Sequence, residues 1–255
     1  MLLMVAGFCR WSSALILASL GLAACAPVSQ QPADEGKYLH AGFVLNEHLA
    51  SSLPEVTAAD LPKMLQAPWR QAFGFGGLSG EQRQVSSCRA YGDALNAGLR
   101  PALEADYTLL AELAVMCRAA CAMSDARAAR ESHIGTLPFN GQLPILLPAD
   151  LALRASTEDH ARFAAAEPEA RWAEVASLKS VEIHGPEYAV YRQLSGDQVV
   201  RLVGRGDVDG DGVEDLLLTS KDVGSDGSLL GYRLFTITRF SPETPYVVLS
   251  EFAPN

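Results

Sequence analysis

A short segment near the C-terminal end of the chain carries the residues best suited to metal chemistry. It contains four carboxylates at odd-numbered positions: Asp207, Asp209, Asp211 and Asp215. Gly210 and Gly212 lie between them, and glycine permits the backbone angles that curl a loop around one centre. Calcium binds roughly six to eight oxygen atoms, so the carbonyl of Val213 could complete such a site. Because carboxylates this close repel one another, the spacing favours a bound divalent cation over a solvated Asp/Gly turn.

Two families of calcium loop begin with this spacing. An EF-hand requires a glutamate at its twelfth position, which is Leu218 when Asp207 is counted as the first. Residues 216–220 are typical of a strand, whereas an EF-hand continues as a helix. The segment instead resembles the Asp-x-Asp-x-Asp-Gly-x-x-Asp calcium loop of FG-GAP/VCBS-type repeats, which joins two strands in cell-surface proteins. This resemblance covers about residues 204–219 and implies calcium, with side-chain ligands from the four aspartates and a carbonyl ligand from Val213.

Only one copy of this loop occurs in the chain. FG-GAP/VCBS-type repeats usually stand in series and form the blades of a propeller, and one blade cannot bury its own faces. The resemblance therefore implies a calcium loop between two strands, and it does not extend to a propeller or to the ligands that propellers bind.

The N-terminal residues have the pattern of an export signal. Residues 1–24 carry one charge, Arg10, and an apolar core too short to span a bilayer. The following Leu-Ala-Ala-Cys resembles a bacterial lipobox, in which cleavage leaves a lipidated Cys25. The alternative is an ordinary signal peptide followed by an incidental cysteine. We expect a signal peptide at 1–24, a flexible tether at 25–39, and no later membrane-spanning segment.

The charge and location of the mature chain limit its partners. The formal net charge is −10 at pH 7, and no cluster of lysine and arginine is present, so nucleic acid is not expected as a partner. The lipid anchor predicts attachment to a membrane in the cell envelope, at the periplasmic face of the outer membrane. An envelope protein is a further possible partner.

Cysteine usage fits an oxidising compartment. Besides Cys9 in the leader and Cys25, the chain contains Cys88, Cys117 and Cys121. Helical periodicity on both sides of a turn at 98–101 predicts an antiparallel helical hairpin that brings Cys88 near the other two. We expect a Cys88–Cys117 or a Cys88–Cys121 disulfide, and three small buried side chains are the alternative.

The hydrophobic pattern changes near residue 179. Upstream, helical periodicity predicts helices at 43–51, 58–66, 81–98, 102–130 and 157–178, the last broken at Pro168 and capped by Ser156 and Asp159. Downstream, alternation predicts strands at 180–184, 188–194, 198–204, 214–221, 229–240 and 246–252. The expected fold class is α+β, with a mainly helical domain at 40–179 and an antiparallel β-meander domain at 180–255. The calcium loop would join the third and fourth strands, and the helices would cover one face of the sheet.

No catalytic constellation emerges from the residue pattern. Gly74-x-Gly76 lacks a third glycine, Ser79 lacks the nucleophile-elbow spacing, and the five histidines are scattered. Aromatic residues at 69–75 could line a binding surface or belong to the core. We therefore expect an envelope lipoprotein with a structural calcium site that acts as a binding or scaffold protein rather than as an enzyme. A hydrolase acting on cell-wall material and a subunit of an envelope assembly are the alternatives.

Overall fold

The computed structural model describes residues 36–254, so the expected signal peptide, Cys25 and most of the expected tether lie outside the described residues. The strands in this range are β1 (Tyr38–Leu39), β2 (Phe73–Gly76), β3 (Gln82–Val85), β4 (Arg100–Pro101), β5 (Leu178–Gly185), β6 (Tyr188–Gln193), β7 (Gly196–Gly206), β8 (Asp215–Gly224), β9 (Leu229–Thr238) and β10 (Val247–Phe252). The helices are α1 (Leu61–Met64), α2 (Cys88–Asn96), α3 (Tyr107–Asp125), α4 (Leu143–Leu146), α5 (Thr157–Ala164) and α6 (Trp172–Val175). Short 3-10 turns occupy Leu45–His48, Ala58–Asp60, Glu104–Asp106 and Ala149–Leu151.

The C-terminal strands form the predicted antiparallel meander. Their order in the sheet is β10-β9-β8-β7-β6-β5, so each strand pairs with its neighbour in sequence. The short β1 adds a seventh strand by pairing with β7, and Tyr38 stands opposite Arg205. A second, small sheet has the order β3-β2-β4. The mixed α+β class is therefore confirmed.

Both faces of the large sheet are covered, although the sequence predicted that helices cover one face. Alternation along β8 shows this: Leu217 joins one hydrophobic cluster, whereas Leu216 and Leu218 join the other. The first cluster contains residues from 43–123, and the second contains residues from 134–175. A strand that is apolar on both faces reads as a continuous hydrophobic run, which is how these three leucines appear in the sequence.

The helix predicted at 81–98 is wrong in its first part. Residues Gln82–Val85 form β3 and pair with β2, and the helix begins only at Cys88. The Ser87 side chain caps this helix by accepting a hydrogen bond from the Ala90 N–H at 3.1 Å. The preceding strand β2 contains two of the aromatic residues from 69–75, and their side chains, Phe73 and Phe75, are buried. These rings belong to the core, so they do not form a binding surface.

The helix predicted at 157–178 is two short helices. Ser156 caps α5 by accepting from the Asp159 N–H at 3.1 Å, and the Asp159 carboxylate accepts from the Ser156 N–H at 3.0 Å. This helix ends at Ala164, ahead of Pro168, because proline disfavours helical geometry in the residue before it. The one-turn helix α6 follows, and its Trp172 is fully buried in the second cluster.

The long helix α3 packs against the sheet and against α2. A disulfide joins Cys88 at the start of α2 to Cys117 in α3, with 5.3 Å between their Cα atoms. This is one of the two pairings that the sequence left open. By length and composition the segment Glu104–Asp125 is also apolar enough to cross a bilayer, contrary to our expectation for this part of the chain. In the structure it packs as a core helix, with 61% of its most apolar window buried.

Candidate metal centre

The predicted metal loop connects β7 to β8, which are the third and fourth strands of the meander. Gly206 at the end of β7 pairs with Asp215 at the start of β8. This pairing places the first and last aspartates of the loop side by side. Asp207 and Asp215 are buried, and Asp209 is exposed. One carboxylate oxygen from each of these three residues lies within 4.8 Å of the other two.

Backbone amides of the loop fix the direction of these carboxylates. Asp207 Oδ1 accepts from the Gly210 N–H at 2.7 Å, and its Oδ2 accepts from the Gly212 N–H at 3.1 Å. Both glycines have positive φ angles, +88° and +95°, which turn their amides inward and which other residues adopt only with strain. A carboxylate oxygen has two lone pairs, so each oxygen retains acceptor capacity for a cation.

The environment of Asp215 also indicates that the cluster fits a cation. The residue is 1% exposed; its Oδ2 accepts from the Val208 N–H at 2.8 Å, whereas its Oδ1 is buried with no hydrogen-bond partner in the described part of the chain. Burial raises the pKa of this carboxyl to about 6, and the charge of Asp209 raises it further, while the Val208 N–H and the Thr238 hydroxyl act in the opposite direction. A bound cation would pair the orphan oxygen and stabilise the ionised form.

The spacing of the oxygens suits one shared ion. Two ligands on opposite sides of a calcium ion lie roughly 5 Å apart, because each calcium–oxygen distance is about 2.3–2.6 Å. The observed limit of 4.8 Å is within that span. The aspartates Asp207, Asp209 and Asp215 therefore form a cluster that could hold a metal ion.

The structure does not bring the fourth predicted aspartate into this cluster. Asp211 is exposed, and its Oδ1 accepts from the Val213 N–H at 2.7 Å. A carboxylate that caps its own turn in this way is a common feature of short Asp/Gly loops. The ligand roles of Asp211 and of the Val213 carbonyl stay predictions.

The metal loop is docked onto the segment that follows α3. Its backbone forms bridges at two places, between Arg127 and Asp207 and between Glu131 and Val213. The Gly212 carbonyl also accepts from the Arg130 and Glu131 N–H groups, at 2.9 and 3.2 Å. Residues 126–134 lead from the first hydrophobic cluster to the second, so the loop is attached where the chain passes from one face of the sheet to the other.

Glu214 strengthens this attachment and does not belong to the cluster. Its carboxylate receives two hydrogen bonds from the Arg205 guanidinium, at 2.9 and 2.7 Å. The Ser132 hydroxyl donates to the same carboxylate at 2.5 Å, and Arg205 also donates to the Ile134 carbonyl at 3.0 Å. This role could not be predicted from the sequence, because Ser132 and Glu214 are 82 positions apart and neither belongs to a recognisable motif.

The histidines remain dispersed in the structure, as they are in the sequence. His40 pairs with Glu187 at 2.7 Å, and His184 pairs with Glu182 at 3.2 Å. His133 lies 3.4 Å from a third glutamate, Glu131. Each of these three pairs contains a single histidine.

Neither a family model nor a curated protein nor a solved structure matches this chain. The resemblance to FG-GAP/VCBS-type repeats is therefore carried by the loop residues alone.

Proposed function

We propose that the chain is a lipid-anchored envelope protein in which one calcium ion holds the loop at residues 207–215, and that it acts as a binding or scaffold protein. The observation that carries the calcium site is the buried Asp215 Oδ1, which has no hydrogen-bond partner in the described part of the chain and belongs to a cluster of three carboxylates. An unpaired buried carboxylate is costly, and a cation in the cluster would remove that cost.

The chemistry of the donors favours calcium among the common cations. All three donors are carboxylates, which are hard oxygen ligands, whereas zinc and copper sites usually include histidine or cysteine. Magnesium requires octahedral geometry at about 2.0–2.1 Å and retains several waters. A loop that supplies three carboxylates, with Asp209 open to water, is better suited to the larger and more variable calcium shell.

In this proposal the role of calcium is structural. Neutralising Asp207 and Asp215 would hold the loop in its present shape and thereby keep residues 127–131 attached to it. Those residues connect the layers on the two faces of the sheet, so the ion would stabilise the arrangement of the whole fold. Weak calcium sites, with dissociation constants of roughly 10⁻⁴–10⁻³ M, are typical of modules outside the cytoplasm.

The location of the first described residues supports an anchor close to this loop. A Cβ atom on Gly36 would lie 3.4 Å from both the Ala128 side chain and the Ala129 nitrogen, so the first described residue lies beside the segment that docks the metal loop. A tether from a lipidated Cys25 would therefore join the fold near the metal centre. Replacing Cys25 with serine should move the protein from the membrane fraction to the soluble fraction, and continued membrane attachment of this variant would contradict the anchor.

Thermal unfolding of the purified full-length protein tests the calcium site. At calcium one hundred times above the dissociation constant, the free energy of unfolding should rise by roughly 2.7 kcal/mol relative to chelator. Asp207→Asn should abolish the gain. Asp226→Asn is the matched control, because Asp226 caps a different, exposed Asp-Gly turn by accepting from Ser228. A melting temperature that calcium and chelator leave unchanged, or an equal gain in Asp207→Asn, would overturn the proposal.

A further inference from the structure

A second polar site lies on the face of the sheet that packs against α3. It is a cavity of about 80 Å³ between α3 and strands β7, β8 and β9. Its wall includes the charged residues Glu112, Arg201 and Lys221 and the hydroxyl-bearing residues Thr219 and Tyr232. Lys221 stands six residues beyond Asp215 along β8, which corresponds to roughly 20 Å, so this cavity is separate from the metal centre.

Strand pairing sets the positions of the two cations. Arg201 pairs directly with Tyr188 on one side and with Thr219 on the other, and Lys221 pairs directly with Tyr232. The two cations are therefore diagonal neighbours on β7 and β8, with Cβ atoms somewhat less than about 7–8 Å apart, and both line the cavity. Each cation also lies over an aromatic ring, at 4.4 Å for Arg201 over Tyr188 and 5.6 Å for Lys221 over Tyr232.

The charges on this wall are not balanced by ion pairs. In the described chain, the arginines that pair with a carboxylate within 4 Å are Arg83, Arg154, Arg162, Arg192, Arg205 and Arg233. Arg201 and Lys221 are both partly buried and have no such partner within residues 36–254.

The one carboxylate that lines the cavity, Glu112, interacts with the neighbouring Tyr232. Glu112 is hydrogen-bonded to the Tyr232 hydroxyl, and burial together with the Glu112 charge raises the pKa of Tyr232 to about 12, so the phenol stays protonated. The cavity wall therefore carries two positive charges and one negative charge. This excess of positive charge occurs in a chain whose formal net charge is −10.

We propose that this cavity binds a small, singly charged oxyanion, a carboxylate or a phosphate group, between Arg201 and Lys221. The planar guanidinium of Arg201 suits two oxygens of such a group, and Lys221 supplies a second, compact charge. A volume of 80 Å³ corresponds to roughly three water molecules and suits acetate or dihydrogen phosphate. The charge of Glu112 disfavours a second negative charge on the ligand. This inference is independent of calcium.

NMR titration of the isotopically labelled full-length protein tests the site, with acetate and inorganic phosphate as probes at constant ionic strength. We expect saturable shifts of amides in β7, β8 and α3, and at least tenfold weaker binding in both Arg201→Gln and Lys221→Gln. Arg192→Gln is the control, because Arg192 lies on the exposed side of β6 and already pairs with Glu182 and Asp197. The probe that binds more tightly identifies the ligand as a carboxylate or a phosphate group.

A further variant tests the role assigned to Glu112. Removing its charge in Glu112→Gln should strengthen the binding of phosphate at pH 8, where the dianion dominates, by several-fold. Linear, non-saturating shifts with both probes would overturn the proposal, as would equal binding in Arg201→Gln, Lys221→Gln and Arg192→Gln. Unchanged melting temperatures would show that the variants retain the fold, and if one variant fails to fold, the other still decides.

Discussion

Arg127 and Asp207 exchange two backbone hydrogen bonds, with N–O distances of 2.8 and 3.0 Å. Arg127 follows α3, and Asp207 is the first aspartate of the metal cluster. The contact therefore joins the candidate metal centre to the point where the chain leaves one layer of the fold for the other. Through this contact, binding of an ion in the loop would affect residues that are about 80 positions away in the sequence.

Removal of calcium should loosen the docked segment before it loosens the sheet. Amide hydrogen exchange of Arg127, Arg130, Glu131 and Glu214 should become at least tenfold faster in chelator, because their hydrogen bonds connect the loop to this segment. Amides in the middle of the β8–β9 pair provide the reference and should change less. Equal acceleration at all sites, or none at the four amides, would contradict the structural role assigned to the ion.

Asp215→Asn should stabilise the metal-free protein at neutral pH and remove its response to calcium. Burial raises the folded-state pKa to about 6 from an ordinary value of 3.8, so folding favours the protonated carboxyl. The stability contributed by this group is complete below pH 3.8 and is lost as the pH rises through 6. The loss is at most roughly 3 kcal/mol at pH 7.5.

Urea unfolding in chelator at pH 4 and at pH 7.5 measures this effect. The stability difference between Asp215→Asn and the unmodified protein should grow in favour of the variant between the two pH values. The same pH series with Asp226→Asn controls for a general change of charge, since Asp226 is exposed. If the stability difference between the two proteins does not depend on pH, ionisation of the buried Asp215 carboxyl does not destabilise the metal-free protein.

Glu214→Ala should destabilise the protein while leaving metal binding in place. Its loss leaves the partly buried Arg205 guanidinium without its charged hydrogen-bond acceptor, at a cost of about 2 kcal/mol. Glu182→Ala is the matched control, because it breaks an exposed pair with Arg192 and should cost less than about 1 kcal/mol. Chemical denaturation gives both values, and loss of calcium binding in Glu214→Ala would mean that Glu214 is itself part of the metal site.

Removing the disulfide should lower stability without affecting the metal centre. Cys88 and Cys117 are separated by 29 positions, and opening a loop of this length costs about 3–4 kcal/mol on the chain-entropy account. The double variant Cys88→Ala/Cys117→Ala should therefore unfold at lower denaturant concentration. Its calcium affinity should stay within twofold of the original value, and a tenfold loss would show that the two regions are coupled.

The elements that could be predicted are those determined by local pattern. Alternating residues predicted strands at 188–194 and 246–252, and the structure has them at Tyr188–Gln193 and Val247–Phe252. The Ser156 cap of α5 could also be read from residues three positions apart. In each case, neighbouring residues contain the information, because the strand and helix periods act over a few positions.

The features that could not be predicted depend on contacts between distant segments. Residues 82–85 form β3 because they pair with β2, although their own composition fits a helix equally well. Covering of the second face of the sheet depends on residues 134–175, whose proline-rich sequence does not reveal where they pack. Within the metal loop, the spacing placed Asp211 among the ligands, but the structure brings only Asp207, Asp209 and Asp215 together, and Asp211 accepts a hydrogen bond from the Val213 N–H.

Isothermal titration calorimetry of the full-length protein with calcium is the most direct test of the metal centre. The account predicts that one calcium ion binds per chain and that neither Asp207→Asn nor Asp215→Asn binds it, whereas Asp226→Asn binds it normally. Absence of any calcium uptake by the unmodified protein, or undiminished uptake by the first two variants, would contradict the claim that these buried carboxylates hold an ion.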